Sequence, residues 1–388
     1  MADTLTVKVA DNIFSPLGDT SLANYLAVKA GKSALHPYEN HWNVPGTFTA
    51  SLFDREAVNA ACVHLLSAGS YTLFEKMVIL SISGALETAR IDVSSPRVLF
   101  ILSTTKGNVS LLDGSISGNF PESRVLLGET ARQISHYFCN PNPPVVVSNA
   151  CISGVCAQIA AMRCLQSNRY DYIVVAGADC QSPFILSGFQ SFKALSPLPC
   201  RPFDQDRNGL NLGEAAATII YARKEREAVG AGEWVAFRGA VRNDANHISG
   251  PSRTGEGCYR ALTRVLGDED AEELAFINVH GTATAYNDEM ESVALSRAGL
   301  SAVPVNGLKG YYGHTMGAAG ILESVVSMYA VDDGIVPATR GYTTPGVSCA
   351  LSVSDTNRPT GKKAFVKLLS GFGGCNAALL FKKGAVLK

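Results

Sequence analysis

The stretch PPVVVSNACISGVCAQIAAMRCLQ, residues 143–166, carries three signals in order. Three consecutive valines read as a strand buried in a sheet, and the small residues of SNACISG read as a tight turn. Ile152, Val155, Ile159 and Met162 then recur at helical spacing. Strand, turn and helix in this order form the unit from which α/β proteins are built, and such proteins place reactive groups where the strand gives way to the helix. Cys151 stands at that point.

The plan recurs at 303–328, VPVNGLKGYYGHTMGAAGILESVVSM, where a strand-like run leads through a small-residue turn into a helix carrying Ile321, Leu322, Val325 and Met328. His314 occupies the turn. Elsewhere, short apolar runs at 98–102, 173–176, 217–221, 276–279, 364–369 and 377–381 alternate with helical patterns at 56–68, 74–88, 259–266 and 287–298. This alternation predicts α/β architecture with mainly parallel sheets. The two similar units suggest an internal duplication with its boundary near the charged stretch 223–233, giving halves 1–225 and 226–388. No Pro/Gly/Ser linker separates independent domains.

At 388 residues, 46% hydrophobic and 17% charged, the chain has the composition of a folded globular protein. A formal net charge of -1 with scattered Lys and Arg provides no basic block to track a phosphate backbone, so nucleic acid is not an expected partner. The opening MADTLTVKVADNIFSPLG lacks the basic and apolar regions of a signal peptide, and no run reaches membrane-spanning length, so a cytoplasmic location is expected. The ten cysteines lie mostly in apolar runs and include no C-x-x-C, which points to buried free thiols and away from a bound metal.

Three residues stand out chemically. At a helix N-terminus, unpaired N–H groups and the helix dipole stabilise a thiolate, which would lower the Cys151 pKa and make it a nucleophile. The small neighbours Ala150, Ser153 and Gly154 leave room for a substrate; the competing reading is a small buried hydrophobe. His280 follows the strand AFINV in the turn HGTAT, and His314 is the only sizeable polar group in GHTMGAAG. Lys309, between Gly307 and Gly310, would need a partner if buried, and Glu323 on the following helix can supply one. The turn GFGGCN, 371–376, lies between two strands and permits close backbone approach to a ligand. No helix follows it to receive a pyrophosphate, so it is not a nucleotide motif.

Read together, NACISG at Cys151, RPFDQDRNGLNLGEAAA at 201–217, NVHGTAT at His280, LKGYYGHTMGAAGILE at Lys309 and His314, and GFGGCN at the end resemble the elongating β-ketoacyl acyl-carrier-protein synthases. The N-terminal FSPLGDTSLANYLAVKAGKSAL is similar to that family's opening turn and helix. The resemblance covers essentially the whole chain. It implies a thiolase fold, with two pseudo-repeated α/β halves packed as a five-layered αβαβα core. It implies that Cys151 is the nucleophile and His280 and His314 the two catalytic histidines, assisted by Lys309 and supported by Glu323. Asp288 and Glu291 match acidic residues that order the loop behind the first histidine. Thr282 and Thr284 match threonines near the pantetheine arm, Phe372 a gating and oxyanion position, and Gly371 and Gly373 substrate-binding glycines.

The implied reaction is a decarboxylative Claisen condensation, in fatty acid or specialised polyketide or aryl-polyene synthesis. An acyl group passes from acyl carrier protein to Cys151 and then joins malonyl-acyl carrier protein to give a 3-oxoacyl product. No cofactor is expected beyond the phosphopantetheine on the carrier. The expected partners are the carrier, its malonyl and acyl thioesters, and a second subunit, as a homodimer or as a heterodimer with a chain-length-factor-like ketosynthase. The alternatives are a scaffolding subunit of that chain-length-factor kind, which typically lacks the nucleophile, and a thiolase, for which Cys375 would be a second catalytic cysteine.

Overall fold

The structure, a computed structural model, describes residues 4–63, 71–113 and 120–387. The chain opens with β1 (Thr4–Phe14), α1 (Ser21–Lys29), β2 (His36–Glu39), β3 (Thr47–Ser51), α2 (Arg55–Cys62) and α3 (Leu73–Ala89). Next come β4 (Val98–Ser103), α4 (Leu127–Tyr137), β5 (Val145–Val147), α5 (Ser153–Gln166), β6 (Tyr172–Asp179), α6 (Pro183–Ser191), β7 (Leu212–Gly213) and β8 (Ala215–Glu225). The second half begins β9 (Trp234–Asn243), α7 (Glu256–Leu266), β10 (Leu274–Asn278), α8 (Ala285–Arg297), β11 (Pro304–Asn306) and α9 (Lys309–Tyr312). It ends with α10 (Ala319–Asp332), β12 (Ile335–Val336), β13 (Ser352–Val353), β14 (Arg358–Pro359), β15 (Ala364–Gly371) and β16 (Cys375–Lys383). Of the helix expected at 56–68, residues 64–68 lie outside the described residues.

One sheet runs in the order β13-β11-β10-β15-β16-β9-β1-β8-β6-β4-β5. Strands of the first half fill one side and strands of the second half the other. They join where Thr6 and Val7 of β1 pair with Ala236 and Val235 of β9. Helix α3 covers the first half's outer face against β1, β8 and β6, and α7 covers the second half's against β9, β16 and β15. Helices α5 and α10 lie between the halves and pack on strands of both, which gives the five layers of a thiolase fold.

The sequence accounts for the central position of α10. Every residue from Ala319 to Met328 is buried, and a helix apolar on all sides is stable only when enclosed. Helix α3 starts at a capping box, in which Thr72 Oγ1 accepts from Glu75 N and the Glu75 carboxylate accepts from Thr72 N. Helices α5 and α10 cross at glycine: a Cβ on Gly154 would lie 2.9 Å from Gly320 N.

The expectation of mainly parallel sheets is corrected. The pairs β1/β8, β8/β6, β1/β9, β9/β16 and β16/β15 are antiparallel; β6/β4, β4/β5, β15/β10, β10/β11 and β11/β13 are parallel. Strands β15 and β16 are joined directly by the glycine turn, and a short turn reverses direction, whereas parallel neighbours need a crossover. The long strands β1 and β9 went unread because Lys8 and Asp11, and Arg238 and Arg242, interrupt their apolar runs. Lys8 and Asp11 pair with each other at 2.5 Å within β1.

Candidate active site

Cys151 sits in the turn from β5 to α5. Ala150 before it has φ +44°, a left-handed conformation costly for a residue with a Cβ and a form of strain concentrated at functional sites. Ser153 Oγ stitches the turn, accepting from Asn149 N at 2.7 Å and donating to Ala150 O at 2.6 Å. Gly154 therefore serves the helix crossing, and Ser153 the turn, where the sequence suggested room for substrate. Ile152 is the N-cap of α5, so Cys151 stands one residue outside the helix proper. The thiol is not lowered as a helix N-terminus alone would have it. Burial pushes it up to about 11, against the opposing pull of the Lys309 charge and the Phe372 backbone N–H.

His314 is fixed through its backbone, its N–H donating to Asn211 O at 2.7 Å and its carbonyl accepting from Gly213 N at 3.0 Å. The NLGE part of 201–217 thus positions a histidine about a hundred residues downstream. The His314 Nδ1 accepts from Met316 N at 3.2 Å, which puts the ring proton on Nε2, an atom with no partner among the described residues.

His280 follows the end of β10, and its Nδ1 also lacks a partner among the described residues. The two imidazoles meet edge to face with centroids 5.0 Å apart and planes at 79°. A nitrogen of each and Cys151 Sγ lie within 4.8 Å of one another, and all three residues are buried. Burial holds both histidines well below the usual imidazole range, reinforced by the Lys309 and Lys367 charges, so both rings are neutral near pH 7.

A thiol and two imidazoles also make a metal-ligand set by composition. A ligating histidine, however, donates its second ring N–H to an acceptor. His314 accepts at Nδ1 and presents a donor, the polarity suited to a substrate oxygen.

Behind the histidines, Lys309 Nζ lies 2.9 Å from Glu323 Oε1. The other oxygen of Glu323 pairs with Lys367, whose Nζ also reaches Asn278 Oδ1 at 2.5 Å and the Val279 carbonyl at 3.2 Å. Burial pushes the Glu323 carboxyl upward, but the two ammonium groups outweigh it and leave the group below its usual value. Sequence reading missed Lys367, although a lysine inside the apolar strand AFVKLL is itself a signal of a buried partner.

Glu291 accepts from the backbone N–H of His280 at 2.7 Å and of Gly281 at 2.8 Å. Asp288 accepts from Thr282 N at 3.0 Å and Phe203 N at 2.7 Å. Both carboxylates are buried behind HGTAT, shaping its backbone from outside the cluster. Burial raises Glu291 to about 7 and Asp288 to about 6. The Thr282 and Thr284 hydroxyls touch at 2.9 Å.

The turn 371–376 closes the site. A Cβ on Gly371 would stand 3.1 Å from Cys151 N and 2.9 Å from Cys375 Sγ, so glycine is what keeps the Cys151 amide uncovered. Gly373, with φ +82°, donates to Ile248 O at 2.7 Å. The Phe372 ring packs on Phe192 and Phe189 at 5.1 and 5.7 Å, and its backbone N–H works against the burial that raises the Cys151 thiol. The Cys375 thiol lies beside the same turn, donating to Phe372 O at 3.2 Å and reaching Asn149 O at 3.9 Å, and burial pushes it up to about 12.

A second residue missed by sequence is Asp179, at the end of β6. It is fully buried and accepts from Thr104 Oγ1, Thr105 N, Lys106 N and Gly317 N at 2.8 to 3.1 Å. It ties the first half to the His314 loop. Its signal, an acid closing the apolar strand IVVAGA, resembles that of Lys367.

A sulfur and two neutral imidazoles at the strand ends of a doubled α/β core define a thiolase-fold acyltransferase. The chain matches the families described as Beta-ketoacyl synthase, N-terminal domain, over residues 72–227, and Beta-ketoacyl synthase, C-terminal domain, over 235–343. It is 31% identical over 283 residues to Nodulation protein E of Rhizobium meliloti, covering 71% of this chain and 70% of that one. It is 30% identical over 284 residues to a protein of Schizosaccharomyces pombe named as a mitochondrial 3-oxoacyl-acyl-carrier-protein synthase, covering 67% and 66%. The structure named the ishigamide ketosynthase/chain length factor superposes with a TM-score of 0.86 at 24% identity, over 98% of this chain and 100% of that one. The chain belongs to the β-ketoacyl synthase family of condensing enzymes. No helix among the described residues is long and apolar enough to cross a membrane.

Proposed function

We propose that the chain condenses a Cys151-bound acyl group with malonyl-acyl carrier protein, with His280 and His314 as its other catalytic residues. The observation that carries this reading is the convergence of Cys151 Sγ and the two imidazoles within 4.8 Å, with His314 presenting an N–H donor. As Cys151 attacks the acyl thioester, its S–H proton passes to the departing pantetheine sulfur, and neither imidazole changes its protonation state. Malonyl carrier then enters, and the bond from its α-carbon to the carboxylate breaks, releasing carbon dioxide. The electron pair moves toward the thioester oxygen, held by ring N–H groups of both histidines.

The resulting carbanion attacks the acyl-Cys151 carbonyl. The tetrahedral oxyanion is held by the N–H groups of Cys151 and Phe372, and its collapse expels the thiolate. Burial, with help from Lys309, keeps the imidazoles neutral, the state in which they donate without adding a charge that would pair with the malonyl carboxylate. Thr282, Thr284 and Gly373 line the approach of the pantetheine arm, and Phe372 gates the acyl pocket.

The carrier supplies the phosphopantetheine, and no other cofactor takes part. The halves meet near 225–226, the enzyme works in the cytoplasm, and a second subunit, a copy or a chain-length-factor-like ketosynthase, completes it. Support for that subunit comes from β5, which ends the sheet with Val145 38% exposed and so offers a free edge for pairing. Both histidines and the cysteine in one cluster favour a catalytic subunit over a scaffolding one, and His314 and Lys309 together favour the synthase over a thiolase.

Intact-mass measurement after offering acyl carrier proteins of several chain lengths tests the reading. Wild type gains one acyl group and Cys151→Ala gains none; equal acylation of the variant would remove Cys151 from its role.

A further inference from the structure

The buried group for which the condensation has no use is Lys367. Its side chain is fully buried on β15, and its ammonium is surrounded by oxygen: Asn278 Oδ1 at 2.5 Å, the Val279 carbonyl at 3.2 Å and a Glu323 oxygen. Two of these belong to the end of β10, immediately before His280. The third belongs to the carboxylate that also holds Lys309 at 2.9 Å.

This geometry sets the charge count. One carboxylate faces two ammonium groups, so the Lys309–Glu323–Lys367 cluster carries a net positive charge in a dry interior next to two imidazoles. A single Lys309–Glu323 pair would already satisfy Glu323, so Lys367 is not required to neutralise it. What Lys367 adds is a cation fastened to the backbone carbonyl one residue before His280, on a strand otherwise apolar. It therefore restrains the end of β10, and with it the His280 ring, relative to α10, the helix that follows the His314 loop.

We propose that Lys367 is a positioning residue of the condensing site, an internal cation that fixes His280 against Glu323 and is needed for the malonyl decarboxylation step far more than for acylation of Cys151. The proposal rests on the assignment of His280 and His314 to that step. Other charged or titratable groups facing the cluster include Glu291 from α8, Tyr312 from α9, the two histidines, Cys151 and Cys200.

The test separates the two half-reactions in Lys367→Met, which keeps volume without charge, and in Lys367→Ala, which opens an oxygen-lined hole. Acylation of Cys151 by acyl carrier protein is followed by intact mass, and malonyl-carrier decarboxylation by product analysis. Loss of one charge-assisted anchor is expected to slow decarboxylation by on the order of tenfold or more in both variants, while acylation changes by less than about threefold. In Lys367→Ala, added ammonium or potassium chloride restores part of the decarboxylation rate, and choline chloride at the same ionic strength does not. If only Lys367→Met folds, the half-reaction split decides alone.

Wild-type decarboxylation in Lys367→Met overturns the proposal. So does an equal loss of both half-reactions with no ion rescue, which would make Lys367 a fold-supporting residue only. Failure of the underlying assignment reads differently, as a wild-type enzyme that neither acylates nor decarboxylates.

Discussion

A Cβ on Gly320 would stand 3.0 Å from the Cα of Gly154, so the two central helices touch backbone to backbone three residues after Cys151. Backbone atoms cannot rotate aside, so overpacking here must move a helix. Gly320→Ala is therefore expected to cost about 3 kcal/mol in urea unfolding and to slow acylation of Cys151 together with condensation. Unchanged stability would mean the crossing is looser than described.

Glu323 is the single carboxylate between Lys309 and Lys367, and all three side chains are buried. Replacing it with glutamine leaves two ammonium groups facing each other without a counter-charge. The expected loss of stability is about 3–5 kcal/mol, measured by chemical denaturation. A loss below about 1 kcal/mol would show that water reaches the cluster.

His314→Ala removes an N–H donor but not the sulfur that takes the acyl group. Acyl transfer to Cys151 should persist while condensation falls by on the order of a hundredfold or more, read by intact mass and product formation. Undiminished product would contradict the role given to His314.

Burial lifts the Cys151 thiol to about 11, so near pH 8 nearly all of it is protonated and raising the pH increases the thiolate. Iodoacetamide labelling of Cys151 in the free enzyme, followed by peptide mapping, should speed up about tenfold per pH unit from pH 8 to pH 10. Exposed Cys139 reports labelling of an accessible thiol in the same sample. A rate at Cys151 already flat above pH 7 would mean the thiolate is present at rest.

Gly371→Ala places a methyl group 3.1 Å from the Cys151 amide and 2.9 Å from Cys375 Sγ. With one oxyanion donor obstructed, kcat should fall by about 10²–10³ with little change in folding. A kcat within about twofold of wild type would remove that amide from the oxyanion site.

The sequence announced the strand-turn-helix units at Cys151 and His314 because there apolar period and turn chemistry agree, and both units appear in the structure. It did not announce β1 and β9, whose charged residues break the apolar run, nor the antiparallel centre of the sheet, which depends on pairings between distant segments. Lys367 and Asp179 escaped for a related reason. A single charge in an apolar strand acquires meaning only from what faces it, and their partners lie 44 to 89 positions away for Lys367 and 73 to 138 for Asp179. The glycines near Cys151 were visible as small residues, but whether they admit a substrate or a neighbouring helix is a three-dimensional distinction.

Asp179 gathers amides from its own half and from the loop bearing His314 onto one carboxylate. The end of β6 and the segment after β4 are thereby tied to the loop that bears His314, and one carboxylate joins the two halves beside the site. A substitution at Asp179 therefore reaches His314 from the other half of the chain, so that position cannot be altered for one segment alone.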